Sequence, residues 1–218
     1  MGRDGSATRE RLVDAAERVF ASLGIEDANL REINRAAGQS NNSALHYHFG
    51  SREALLQAVV RRHRDAIDSR RRVLVEELGG KEPSIEELLV VAVWPLGFQL
   101  DTESGRNYLR ILVHMRRRSE MRSHHSLNPD STDDLQWAYS QLQARLVHLP
   151  EALRDERLGV WIDMAVGAMA SRAEDIQDGA DHSLDNSEFM NNLIDMGVAA
   201  LTAPSRLAAA SGQAEGVR

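Results

Sequence analysis

The chain has 218 residues, of which 42% are apolar and 27% charged, with no cysteine and a formal net charge of −7. That length buries a substantial core in one or two domains, and the missing thiols exclude both a disulfide framework and a thiolate metal site. No apolar run is long enough to span a bilayer and the N-terminus lacks a signal-peptide core, so the expectation is a soluble, cytoplasmic protein with no membrane partner.

The acidity is unevenly spread. Residues 1–72 hold 13 Lys/Arg against 10 Asp/Glu, whereas the remainder holds 13 against 23. A mildly basic N-terminal part can meet phosphates, while an acidic body repels them and orients docking.

Helical periodicity runs through nearly every segment and no strand alternation stands out, so the expected fold class is all-α. The first helix is expected over Ala7–Leu23, where Leu12, Ala15, Ala16, Val19, Phe20 and Leu23 form an apolar stripe closed by Gly24. Asn29, with Glu32 three positions on, has capping-box spacing and opens a short helix whose apolar face is Leu30, Ile33 and Ala37. Gly38 ends it, where a left-handed residue is easiest to accommodate. A second short helix then runs from Asn41 to about Tyr47. This is the layout of a helix-turn-helix, whose second helix enters the DNA major groove. Ser40, Asn41, Asn42 and Ser43 are small donors and acceptors suited to base edges and phosphates.

Downstream, N-cap Ser51 opens a long helix that stops at Gly79-Gly80. Ser84 and Glu87 make another capping box before an apolar helix, Ile85–Leu100, that Pro95 should kink. Further helices are expected over Arg106–Met121, Thr132–His148, Pro150–Asp178 and Asn186–Leu201, the last capped by Asp185 with Glu188. The segment 123–130, with His124-His125, reads as a polar loop. The tail after Pro204 is small, polar and expected to be disordered.

Residues 8–57 carry Thr8-Arg9, Ala15-Ala16, Phe20-Ala21, Gly24, Ile33, Ala37-Gly38, Leu45, His48-Phe49, Ser51-Arg52-Glu53 and Leu55 in order. That run resembles the N-terminal DNA-binding domain of the TetR family of bacterial transcriptional regulators. Three positions depart from the family pattern. One extra residue lies between Gly38 and Phe49, His46 stands where Tyr is usual with Tyr47 displaced one place, and Asn34 replaces a small Ala.

The resemblance implies a three-helix DNA-binding head at 1–50, a ligand-binding and dimerisation body at 51–203 entered through a connecting helix at 51–78, and a tail at 204–218. It also implies a homodimer built on the last two helices, a segment rich in small residues (Ala165–Ser171) fitting close approach of a second subunit. Double-stranded DNA with an inverted-repeat site and a small apolar effector are the expected partners. No enzymatic activity, cofactor or metal is expected, since no phosphate loop, nucleophile elbow or His-Glu metal motif is present. The candidate DNA contacts are Thr8, Arg9, Arg31, Ser40, Asn41, Asn42, Ser43, His46, Tyr47, His48 and Arg52. The candidate effector contacts are Trp94, Phe98, Tyr108, His114, Met115, Trp137, Tyr139 and Trp161. A helical small-molecule carrier or enzyme without DNA binding is the alternative function, and an activator would use the same residues as a repressor.

Overall fold

An apolar residue every three or four positions makes each segment an amphipathic helix, and the faces so formed are buried in two cores. The computed structural model describes residues 2–39, 43–117 and 133–206, and every long element among them is helical. The helices are α1 Gly2–Leu23, α2 Leu30–Ala36, α3 Ser43–His48, α4 Arg52–Glu77 and α5 Ile85–Gly97. A 3₁₀ turn, Phe98–Asp101, follows. Then come α6 Glu103–Arg117, α7 Asp133–Arg145, α8 Glu151–Gln177 and α9 Asn186–Thr202. Among the described residues no helix is long and apolar enough to cross a membrane.

The helix ends follow their capping chemistry. Ser51 Oγ accepts from Ala54 N at 3.1 Å. The boxes at Ser84/Glu87 and Asp185/Glu188 make both reciprocal bonds. Asn29 caps α2 differently from expectation: its side chain accepts from Arg31 N at 2.9 Å, and Glu32 turns to Arg35 at 3.7 Å. Gly24, Gly38, Gly79 and Gly80 all have positive φ, which ends α1, α2 and α4 where the sequence places their stops.

The structure departs from the sequence reading at several places, with α6 starting at Glu103 rather than Arg106 and α7 ending at Arg145 rather than His148. α1 begins at Gly2, five residues before Ala7, because nothing in that stretch withholds a backbone donor inside the helix. Leu23 is 45% exposed, and Ile25 beyond the glycine takes its place in the core. α5 tightens into the 3₁₀ turn after Gly97 instead of running to Leu100. The expected loop at 123–130 and the tail beyond Arg206 lie outside the described residues.

The N-terminal core joins Leu12, Phe20, Ile33, Leu45, Leu55 and Val59 with three residues of α6: Tyr108, Ile111 and Met115. The C-terminal core is built from α5, α7, α8 and α9 around Leu88, Leu89, Leu142, Trp161 and Met169, with Leu109 on the other side of α6. Helix α6 is therefore wedged between the two cores.

Candidate nucleic-acid interface

The candidate recognition element is α3, and Leu45 is its fully buried anchor. Leu45 is fully buried against α1 and α2, while Tyr47, two positions on, is 86% exposed. A six-residue helix has little intrinsic stability, so it stands only because that leucine and the half-buried Phe49 are packed beneath it. His46 and Tyr47 are exposed and His48 half-buried, with the Tyr47 and His48 rings edge-on at 5.1 Å. His46 Nδ1 donates to the Gly50 carbonyl at 3.3 Å, since a carbonyl can only accept. In the neutral ring Nε2 is then left as an acceptor.

The other candidate DNA contacts surround this helix. Arg9 of α1 lays its guanidinium over the Phe49 ring, 5.1 Å from the centroid, which fixes the start of α1 against the end of α3. Thr8 Oγ1 accepts from Arg11 Nη2 at 3.0 Å. Arg31 is exposed at the second position of α2. Ser43 opens α3, whereas Ser40, Asn41 and Asn42, with their expected base contacts, lie outside the described residues. An open concavity of about 540 Å³ lies between α2, α3 and the start of α4, lined in part by Asn29, Arg31, His46 and Arg52.

Arg52 has a role the sequence reading did not assign. Its Nη1 donates to the Glu26 carbonyl at 2.9 Å and lies 3.6 Å from the Glu26 carboxylate. The side chain expected to meet phosphate thus also ties the α1–α2 turn to the start of α4. Only the structure reveals that contact, across 26 residues of sequence.

The eight candidate effector residues are not gathered in one place. Trp94 and Trp137 are half-buried on the C-terminal core, and Tyr139 and Trp161 lie within it. Burial holds the Tyr139 hydroxyl well above the usual tyrosine range. Trp161 Nε1 is buried without a hydrogen-bond partner. Phe98 lies apart from these: it is 42% exposed, beneath the Arg70 guanidinium at 4.7 Å. Tyr108 and Met115 also lie away from the C-terminal core, because they face the N-terminal one. His114 packs on the head, its imidazole 3.3 Å from where a Cβ on Gly24 would sit. The cause is shared by all three. α6 carries two apolar stripes, and periodicity alone does not say which core each one joins.

Tyr108 belongs to a buried cluster that sequence reasoning missed. The His63 ring bridges Glu17 Oε2 (2.9 Å from Nε2) and Gln99 Oε1 (2.8 Å from Nδ1). Tyr108 stacks on that ring at 4.5 Å, and burial pushes its hydroxyl up to about 12. The cluster joins α1, α4, the 3₁₀ turn and α6. A signal was present, since His63 falls on the apolar face of α4 between Val59 and Ile67.

Comparison with known proteins agrees with this geometry. Residues 12–59 match the family described as bacterial regulatory proteins, tetR family. The HTH-type transcriptional regulator SrpR of Pseudomonas putida is 40% identical over 57 residues, 26% of each chain. The uncharacterized HTH-type transcriptional regulator TtgW, also of Pseudomonas putida, is likewise 40% identical over 57 residues, covering 26% of this chain and 42% of its own. The aligned part therefore spans less than half the length of these relatives. A crystal structure of a transcriptional regulator from Rhodococcus sp. Rha1 shares the fold over 88% of this chain and 95% of its own, with a TM-score of 0.53 and 18% identity. The N-terminal part of the chain, residues 12–59, is thus similar to the bacterial regulatory proteins of the tetR family.

Proposed function

We propose that this protein is a homodimeric DNA-binding transcriptional regulator, a repressor that a small apolar effector releases from an inverted-repeat operator. The observation that carries the reading is α3 itself: a helix seated on one buried leucine that turns Tyr47 and His46 to solvent within a tetR-type domain. In this reading residues 1–50 are the head and 51–203 the body, and α4 connects them.

The dimer follows from exposed apolar residues on the last two helices. Val160 (58% exposed) and Met164 (38%) recur on α8 at four-residue spacing, Gly167 has open space in front of it, and Met196 of α9 is 48% exposed. Such a stripe is expected to be covered by its own copy, since two-fold self-complementarity is the commonest closed assembly. Light scattering at micromolar concentration should give the mass of two chains; a monodisperse monomer would refute it. A symmetric dimer sets its two α3 helices about 34–36 Å apart, to fit successive major grooves.

The effector is proposed to be neutral. Arg110, Arg116, Arg145, Arg157 and Arg172 in the body already hold carboxylates, amides or backbone carbonyls. Arg106 donates from Nη1 to Leu100 O but leaves its buried Nε without a partner, so away from Arg106 a charged acid would have to displace one of these pairs or be buried unpaired. It shifts operator affinity only as far as it binds the two head spacings differently.

A gel shift with the DNA flanking the protein's own coding region tests the whole reading. A retarded band that requires Tyr47 supports it, and no shift on that or any duplex at low salt leaves the carrier alternative. Arg52→Ala should weaken binding on every sequence and lower the salt slope by about 1 per half-site, as loss of one phosphate contact does. An unchanged slope would mean that Arg52 acts only by holding Glu26.

A further inference from the structure

Helix α5 carries Pro95 four residues after Val91, and that spacing decides what must face it. Proline has no amide hydrogen, so the Val91 carbonyl loses its helical donor, and the ring crowds that carbonyl away from its normal path. Val91 and Ala92 are 1% and 5% exposed, so water does not make good the loss. Arg71 of α4 does. Its Nε donates to Val91 O at 3.2 Å and its Nη2 reaches Ala92 O at 3.5 Å. Nη1 donates to Asp68, nearly one turn back on α4. Arg71 is only 2% exposed, a depth at which a guanidinium persists only if its donors find acceptors.

Two turns earlier on the same face of α4 lies His63, and its partner Gln99 sits in the 3₁₀ turn that ends the α5 segment. Buried polar groups therefore fasten both ends of the stretch from Val91 to Gln99 to the connecting helix.

We propose that Arg71 supplies the backbone donor that Pro95 removes from α5, and that this bond, with the His63 bridge, makes α4, α5 and the 3₁₀ turn one rigid lever attached to the head. If α4 slid off α5, a buried carbonyl and a buried guanidinium would both lose their partners, so the two helices move as one body. The use of this lever as a switch rests on the regulator reading above: an effector acts by displacing the Pro95 break, and the head follows. The lever itself does not rest on that reading.

The test is a double-mutant cycle on the full chain, comparing wild type, Arg71→Met, Pro95→Ala and the double variant by urea denaturation. Arg71→Met should lower the folding equilibrium constant at least about tenfold, because it leaves Val91 O unpaired. Pro95→Ala restores an amide donor, so in the Arg71→Met background it should recover about tenfold relative to its effect in the wild type. Effects that multiply to within about twofold would overturn the proposal. If Arg71→Met does not fold, the double variant must still unfold cooperatively, and its failure to do so would overturn the proposal equally.

Amide hydrogen exchange separates the lever from mere satisfaction of the carbonyl. In the wild type the second half of α4 should open together with α5. In the double variant, which keeps the His63 bridge but lacks the Arg71 link, the stretch of α4 around Arg71 should open apart from α5 around Val91, and joint opening there would sink the lever. Neither readout contains DNA, so an absent gel shift and an absent coupling are distinguishable failures.

Discussion

Leu45→Ala is expected to lower the unfolding free energy by about 2–5 kcal/mol and to abolish sequence-specific DNA binding while the protein remains folded. The size follows from the site. Leu45 is 0% exposed and, among the described side chains of α3, is the one fully buried in the N-terminal core. Removing it leaves a cavity that the fixed surfaces of α1 and α2 cannot close. The functional loss follows from the length of α3. Six residues cannot hold a helix alone, so without the anchor the Tyr47 and His46 side chains lose their common orientation. Denaturant unfolding and a gel shift on the same sample measure both effects. A loss of stability under about 1 kcal/mol with unchanged affinity would show that α3 is held from elsewhere.

Gly105→Ala should be about as damaging, although helix propensity argues the other way. Alanine inside an exposed helix gains about 1 kcal/mol over glycine. Here a Cβ on Gly105 would lie 2.2 Å from Gln99 O and 2.7 Å from Gln99 Cα, and backbone cannot step aside as a flexible side chain can. Overpacking of this kind costs about 1–3 kcal/mol or more, so the clash outweighs the propensity. The displaced residue also holds His63, through its side-chain Oε1. The 3₁₀ turn should shift away from α4, and the His63–Tyr108 stack should loosen with it. Urea midpoints check the first effect and ring-current shifts of Tyr108 the second. An alanine variant as stable as wild type would show that the turn relaxes without strain.

Much of the fold was legible in the sequence because local chemistry decides it. The caps at Ser51, Ser84 and Asp185 and the stops at Gly24, Gly38 and Gly79 are set by residues within four positions of the helix ends. Ile33 is legible because its periodicity and the family resemblance agree, and Leu45 through the resemblance alone. What periodicity does not carry is the assignment of faces between cores. Tyr108 and Met115 were read as one set with Trp161, whereas α6 sends them to the opposite side. Arg52 shows a different limit. Its bond to Glu26 depends on how the α1–α2 turn meets α4, and neither segment records that. His63 and Arg71 left a trace, as polar residues on the apolar face of α4, but their partners Glu17, Gln99 and Val91 come from separate helices.

The wedging of α6 between the cores limits how heads can be exchanged between regulators. The segment shared with SrpR and TtgW covers 57 residues, and the family match ends at residue 59. The floor of the head lies beyond the family match, in Tyr108, Ile111 and Met115. A chimera that joins this head to a foreign body inherits that body's α6 as its floor. If the incoming helix offers different volumes at those three places, the head is underpacked or overfilled however faithfully its own sequence is kept. Domain swaps cut at the end of the shared segment should therefore succeed or fail on three positions of α6, and transplanting those three with the head is the smallest change that keeps the unit whole.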